Sequence, residues 1–172
     1  MIAAAAAFDA WHRRDSEGRN LRTGHAEWIW YSRAGRLPRA LHFYAFRDWD
    51  LEQAPRRARA LVFADPEAVL WIGGTRVATL RQRPGDPLAA VDLAPHLHPG
   101  RNRVVVEATS PDGIGGILFA VEGEGIAPDA IASGRGWRVS LDAPDAERGN
   151  GAPAIVWGRP PQYPWGWPRV PD

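Results

Sequence analysis

The chain of 172 residues contains no cysteine and no lysine, so each of its 21 basic residues is an arginine. Without cysteine there is no disulfide, no thiol nucleophile, no zinc-thiolate site and no iron–sulfur cluster. Without lysine there is no lysine-dependent phosphate loop and no Schiff-base chemistry. Because 20 acidic residues bring the net charge to +1, the basic excess of a nucleic-acid-binding protein is missing too. We expect no nucleic-acid partner.

Long apolar runs are also missing. No stretch approaches the roughly 20 apolar residues that a membrane-spanning helix needs. The run from Met1 to Phe8 lacks the basic start of a signal peptide and passes directly into Asp9. It indicates instead an alanine-rich helix that ends near Gly18. These features predict a cytoplasmic protein with no membrane partner.

What the sequence does contain is period-two alternation from Glu27 onward, interrupted by 18 glycines and 16 prolines. Alternating runs bounded by turn residues are typical of antiparallel strands. The clearest is a hairpin from Val69 to Leu80, because Gly73 and Gly74 supply the positive φ angles of a tight turn. Further strands are predicted at these runs: Glu27 to Tyr31, Leu41 to Phe46, Arg57 to Ala64, Val104 to Val106, Gly116 to Glu122, Trp137 to Leu141 and Ala154 to Trp157. The pattern predicts an all-β protein, an antiparallel two-sheet β-sandwich of the jelly-roll type with a short N-terminal helix.

Composition divides the chain into three segments: an N-terminal helix and linker at 1–25, a β-sandwich at 26–158, and an arm rich in proline and tryptophan at 159–172. Four prolines between Gly158 and Pro168 remove hydrogen-bond donors, so the arm is not a central strand. It is either packed on the sandwich or a linker. Its three aromatic residues argue against disorder, and we expect it to be buried against its own sandwich.

Nine tryptophans are many for a chain of this length. Aromatic rings suit the C–H faces of sugars, although most buried tryptophans serve core packing. Strict alternation in the first strand places Trp28 and Trp30 on one side of the sheet.

The candidate carbohydrate-binding residues are those expected to lie in a loop or on the arm: Trp49, Arg159, Tyr163, Trp165 and Trp167. A proline-stiffened arm loses little entropy on binding, and arginine offers a planar fork for hydroxyls or uronate carboxylates. The alternative is that the arm only seals the edge of the sandwich.

Catalytic machinery is not evident. A glycosidase needs two carboxyl groups about 5–10 Å apart, and Glu107, at the end of a strand, is interpreted as an ordinary exposed carboxylate. No enzymatic activity and no cofactor are therefore predicted. The spacing of Asp48, Asp50 and Glu52 is suitable for the ligands of a structural calcium ion.

Eight short motifs between residues 26 and 166 resemble those of the galactose-binding-like jelly-roll accessory domain of bacterial α-L-rhamnosidase-type glycoside hydrolases. The motifs are Ala26 to Trp30, Leu41 to Arg47, Ala58 to Asp65, Leu70 to Val77, Val91 to Leu93, Gly100 to Asn102, Ser133 to Arg138 and Pro164 to Gly166. One departure is Gly73, where that family usually has asparagine.

The resemblance implies a non-catalytic domain that binds carbohydrate or positions substrate beside a catalytic glycosidase module or subunit. The sugar would be a rhamnoside, a galactoside or a uronate-containing glycan. The alternative is a purely structural or interaction domain of the same fold, which packs on a catalytic partner without binding sugar.

Overall fold

The computed structural model describes residues 23–31, 39–127 and 129–171. The helix predicted near the N-terminus lies outside these residues. The strands follow in chain order: β1 (Trp28–Trp30), β2 (Leu41–Leu51), β3 (Ala58–Asp65), β4 (Glu67–Ile72), β5 (Thr75–Arg81), β6 (Ala89–Asp92), β7 (Gly100–Ser110), β8 (Gly116–Gly123), β9 (Arg138–Ser140), β10 (Ala152–Pro153) and β11 (Ile155–Gly158). A 3-10 helix (Ala94–His96) follows β6, and the helix α1 (Ala143–Arg148) follows β9.

These strands form two antiparallel sheets. The five-stranded sheet has the order β11-β1-β8-β3-β6, and the six-stranded sheet has the order β10-β9-β2-β7-β4-β5. At the centre of the larger sheet, β2 and β7 pair along their whole lengths, from Leu41 opposite Ser110 to Leu51 opposite Gly100. The predicted all-β, antiparallel two-sheet sandwich is therefore confirmed.

The hairpin of β4 and β5 forms as its two glycines predict. Ile72 pairs with Thr75, and the intervening Gly73 and Gly74 have φ angles of +54° and +82°. A side chain at either position would be strained in this left-handed conformation. The local sequence therefore fixes this turn.

Alternation along the strands of the five-stranded sheet fills two apolar layers. In β3, Ala60 and Val62 join the main core between the sheets. Their neighbours Leu61 and Phe63 join a second cluster with Leu118 of β8, on the outer face of the same sheet. This sheet is therefore buried on both faces, as its nearly continuous apolar strands indicate.

Two predictions about tryptophans are wrong. Trp28 belongs to the outer cluster, whereas Trp30 belongs to the main core, where its ring meets Phe43 edge to face at 4.8 Å. A register shift between Trp28 and Ile29 breaks the alternation that placed both indoles on one side. Trp49 was expected in a loop, but it lies within β2 and is buried between the sheets.

Helix α1 has the local signals of a short helix, although its six residues are too few for a visible helical periodicity. Asp142 is the N-cap and accepts a hydrogen bond from the Asp145 amide, and Pro144 lies in the first turn. Gly149 ends the helix in the left-handed conformation, with a φ of +81°. None of the helices within the described ranges has the length and apolar character needed to cross a bilayer.

Candidate functional site

Helix α1 lies beside the outer face of the six-stranded sheet. Together with that face and the β4–β5 turn it encloses a cleft of about 760 Å³. The sheet side is lined by Tyr44, Trp71, Val105 and Glu107. The helix side is lined by Ala143, Ala146, Glu147 and Arg148. The cleft is thus lined by two aromatic rings, several apolar groups and five charged residues.

Strand register brings the polar side chains of the cleft together. Tyr44 of β2 lies directly opposite Glu107 of β7, and Glu107 lies opposite Val69 of β4. Trp71 is two residues beyond Val69 on the same strand, so its side chain emerges on the same face of the sheet. The three neighbouring strands therefore place an acid and two aromatics within reach of one another.

Glu107 accepts hydrogen bonds from three side chains. The Trp71 indole Nε1 donates to Glu107 Oε2 at 2.9 Å. His42 Nε2 lies 2.9 Å from Glu107 Oε1, and the Tyr44 hydroxyl donates to the same oxygen over a longer 3.5 Å. An ionised carboxylate can only accept, so this contact places a hydrogen on His42 Nε2. The carboxylate is therefore held in one orientation.

This carboxylate keeps the capacity to accept a further hydrogen bond. A carboxylate offers about four lone-pair sites, and the three donors leave one of them open on Oε2. The Glu107 side chain is 22% exposed, so solvent or a ligand can reach it. Burial, reinforced by the nearby Glu107 charge, raises the pKa of the Tyr44 hydroxyl above its ordinary value of 10.0. Tyr44 consequently remains a hydrogen-bond donor at neutral pH.

Arg103 connects α1 to the sheet through hydrogen bonds. Its guanidinium group donates to both carboxylate oxygens of Asp48, at 2.5 and 2.7 Å. The Nη1 atom also donates to the last carbonyls of α1, those of Ala146 at 2.9 Å and Glu147 at 2.5 Å. The hydrogen bonds from Arg103 lower the pKa of Asp48, against the opposing effect of burial. Arg103 thus satisfies carbonyl groups at the end of α1 and holds this helix, which forms one wall of the cleft.

A second cleft, of about 820 Å³, lies at an edge of the five-stranded sheet and has a different character. It is lined by charged side chains and no aromatic ring. Its charges pair with one another: Arg59 with Glu122, and Arg57 with Glu124 at 3.5 Å. Because it lacks an aromatic surface, it is the weaker candidate for binding an organic ring.

The residues proposed to hold calcium are arranged differently from a metal site. Asp48 is engaged by Arg103 through both of its oxygens. Within the described ranges, no group of three or more histidine or acidic side chains is placed to hold a metal ion. The arrangement of Asp48, Asp50 and Glu52 therefore lends the calcium hypothesis no support.

The predicted carbohydrate-binding residues differ in exposure, and Trp49 lies apart from the arm, within β2. Trp49 and Trp165 are each only 6% exposed, so neither ring presents a face to solvent. Tyr163 is 90% exposed, Arg159 is exposed and Trp167 is half-buried. Trp165 packs in the outer cluster of the five-stranded sheet, which places the arm on the opposite face of the sandwich from the cleft. The expected burial of the arm against its own sandwich is therefore confirmed for Trp165 and wrong for Tyr163.

Sequence reasoning missed the cleft residues. Glu107 was interpreted as an ordinary exposed carboxylate, and Trp71 entered only as part of the predicted hairpin from Val69 to Leu80. These residues are brought together by the order of β2, β7 and β4 in the sheet. The sequence patterns of the individual strands do not reveal that order.

No family model and no curated protein matches the chain. Several solved structures share its fold. A GH78 family rhamnosidase of Bacillus sp. GL1 aligns with a TM-score of 0.73 and 21% identity over 87% of this chain. The Streptomyces avermitilis α-L-rhamnosidase complexed with L-rhamnose aligns with a TM-score of 0.66 and 21% identity over 84% of this chain. A lectin from Pleurotus ostreatus in complex with GalNAc aligns with a TM-score of 0.69 and 16% identity over 88% of this chain.

The matches to the rhamnosidases involve one part of much longer chains. This chain covers 20% of the Bacillus rhamnosidase, 16% of the Streptomyces enzyme and 48% of the lectin chain. The resemblance to the galactose-binding-like accessory domain of rhamnosidases is therefore confirmed as a likeness of fold, over a segment of domain size.

Proposed function

We propose that this chain is a non-catalytic carbohydrate-binding domain that works beside a glycoside hydrolase, and that its sugar occupies the cleft between α1 and the six-stranded sheet. The observation that carries the proposal is Glu107, held by three donors next to the rings of Trp71 and Tyr44. A sugar has hydroxyls that need fixed acceptors and a C–H face that suits an aromatic surface. The cleft supplies both.

The engagement of Glu107 favours binding over hydrolysis. Glycoside hydrolysis requires one carboxyl group to deliver a proton and a second to act as base or nucleophile. Both oxygens of Glu107 already accept hydrogen bonds from protein donors, so the group serves as a fixed acceptor. The shared fold supports the same role, since the matching structures include a lectin solved with GalNAc and segments of rhamnosidases.

Isothermal titration with rhamnose, galactose and polysaccharides that contain them tests this proposal. We expect weak binding, with dissociation constants from about millimolar to tens of micromolar. Glu107→Gln should weaken binding roughly 10- to 100-fold, because it removes a hydrogen bond to a charged group, and Trp71→Ala should weaken it similarly.

Matched controls distinguish the cleft from other surfaces. Glu67→Gln alters a carboxylate on the same face of β4, where Glu67 pairs with Arg81, and should leave affinity unchanged. Tyr163→Ala removes the exposed ring of the arm and should also have no effect. Loss of binding in Tyr163→Ala with full binding in Glu107→Gln would move the site to the arm and refute the cleft.

The second candidate function is a structural or interaction module that docks on a catalytic partner. The observation that favours it is the 90% exposure of Tyr163 on an arm whose neighbour Trp165 is anchored in the sandwich. Light scattering of the chain mixed with a rhamnosidase catalytic module tests it. Complex formation that Tyr163→Ala abolishes, without sugar binding by the chain alone, would favour this function.

A further inference from the structure

We infer that Glu107 is a specificity-determining residue that makes the cleft select uncharged sugars and reject uronic acids. The inference rests on the proposed function, because it concerns the ligand of the same cleft. The inference follows from a comparison of the charged groups of the cleft: the arginines are paired with other groups, whereas Glu107 is not paired with an arginine among the described residues.

The arginines of the cleft are committed to other groups. Arg103 binds Asp48 through two hydrogen bonds and the α1 carbonyls through two more. Arg148 donates to Asp145 at 2.7 Å, one turn away on the same helix. Arg101 lies at the rim, 69% exposed and 3.9 Å from Asp48. A uronate would therefore have to displace an existing partner or rely on an exposed arginine, whose ion pairs in water contribute little.

In the described part of the chain, Glu107 has no arginine partner. Among the residues that the structure describes, its donors are an indole, a phenol and an imidazole, and no arginine contacts it. Its negative charge faces the cleft, where a ligand carboxylate would meet it directly. Like charges at close range disfavour binding, and more strongly in a partly desolvated cleft than in water.

An uncharged ring meets no such repulsion. One of its hydroxyls can donate to the open lone pair of Glu107 Oε2.

The apolar part of the lining fits the same ligand. Val105, Ala143 and Ala146 also line the cleft. They offer a surface on which the C–H face of a pyranose ring can rest without leaving a polar group unsatisfied. The cleft thus has acceptor capacity at one point and apolar surface elsewhere.

The test compares methyl galactoside with galacturonic acid, which share one ring configuration and differ in charge, with methyl rhamnoside as a second uncharged probe. Binding of each is measured by titration calorimetry at low and high sodium chloride. We expect an uncharged sugar to bind with an affinity that salt does not change, because no ion pair is screened. Galacturonic acid should bind at least about tenfold more weakly.

Glu107→Gln separates selectivity from folding. The variant keeps the shape of the side chain and removes its charge, so galacturonic acid should gain relative to the uncharged sugar by about tenfold even as total affinity falls. Glu67→Gln should leave the ratio unchanged. A thermal melt similar to that of the wild type shows that Glu107→Gln is folded.

The outcomes are distinct. Galacturonic acid binding as tightly as the uncharged sugar, and losing affinity in Trp71→Ala, overturns the selectivity and leaves carbohydrate binding in the cleft intact. An unchanged ratio in Glu107→Gln overturns the role of Glu107. Absence of binding by every probe and by the polysaccharides overturns the proposed function, and the selectivity with it.

Discussion

The indole ring of Trp165 lies flat on the indole ring of Trp28, with ring centroids 4.4 Å apart and an interplanar angle of 20°. Trp28 belongs to β1, and Trp165 belongs to the C-terminal arm. Trp165 Nε1 also donates to Asp65 Oδ2 at 2.8 Å, at the end of β3. Stacking and a hydrogen bond together anchor the arm on the outer face of the five-stranded sheet.

Trp165→Ala should release the arm and destabilise the protein. The substitution removes a buried ring from the outer cluster, which also contains Phe63 and Leu118, and replacing a buried tryptophan by alanine costs about 3–5 kcal/mol. Urea denaturation measures the loss of unfolding free energy. Limited proteolysis should show new cleavage within residues 159–171.

Tyr163→Ala is the matched control for this prediction. Its ring is 90% exposed on the same arm, so the change in unfolding free energy should stay within about 0.5 kcal/mol. Equal destabilisation by both substitutions would contradict the anchoring role of Trp165.

Asp65→Asn should change how stability depends on pH. Burial raises the pKa of the Asp65 carboxyl above its ordinary value of 3.8, although the hydrogen bond from Trp165 opposes this rise. The native state therefore holds the proton more tightly than the unfolded state does. Stability contributed by Asp65 is greatest below 3.8 and falls as the pH rises through the raised native pKa. The asparagine variant should gain stability relative to the wild type across that interval, as measured by urea denaturation at a series of pH values.

Asp112→Asn provides a control, because its effect on the pH dependence of stability should have the opposite sign. A backbone hydrogen bond from Ile114 and a side-chain hydrogen bond from Ser110 lower the pKa of Asp112. Its contribution to stability is present above 3.8 and is lost as the pH falls through the lowered native pKa. The two variants should therefore show differences from the wild type with opposite slopes, and slopes of the same sign would refute both assignments.

Arg103→Lys should loosen α1. Lysine keeps the positive charge but cannot bind both oxygens of Asp48 and two helix carbonyls at once, because it lacks the planar fork. Loss of hydrogen bonds to a charged group costs about 1.5–3 kcal/mol. Urea denaturation measures the cost, and hydrogen exchange of the α1 amides should accelerate.

Arg101→Lys is the control for the neighbouring arginine. Arg101 is 69% exposed and lies 3.9 Å from the same Asp48, so its replacement should cost no more than about 1 kcal/mol. Unchanged exchange of α1 in Arg103→Lys would show that the helix is held by other contacts.

Gly149→Ala should destabilise the end of α1 through backbone strain and a steric clash. Gly149 has a φ of +81°, and a Cβ atom there would lie 2.8 Å from Arg103 Nη2. The left-handed conformation alone costs an alanine about 1–2 kcal/mol. Gly125→Ala isolates that backbone cost, because Gly125 has a φ of +73° and open space around it. Urea denaturation should show the larger loss for Gly149→Ala, and equal losses would mean that Arg103 moves aside freely.

The parts of the fold that the sequence predicts are those governed by neighbouring residues. Gly73 and Gly74 define the β4–β5 turn locally, and period-two alternation marks β3 and β7. Trp28 shows where this reasoning fails, because its side depends on a register shift in the pairing of β1 with β11. Trp49 was misplaced because the flanking Asp48 and Asp50 suggest a loop, whereas their strand partners are Arg103 and Arg101 of β7.

The site is less predictable than the fold because its contacts are long-range. The donors to Glu107 lie 36, 63 and 65 residues away along the chain. They meet only because β2 and β4 flank β7 in the sheet. The arm, by contrast, concentrates its aromatic residues within one short segment, which drew the prediction toward it.

The chain between β9 and β10 leaves the six-stranded sheet and returns to it, since Val139 pairs with Ala152 at its two ends. This excursion carries α1, and hence one whole wall of the cleft. Its length and sequence can change by insertion, deletion or recombination while the flanking strands keep their pairing. One wall of the cleft and most of the sandwich core are thus encoded in separate stretches of the gene, so this wall can be exchanged by grafting residues 141–151 while Tyr44, Trp71 and Glu107 keep their places on the sheet.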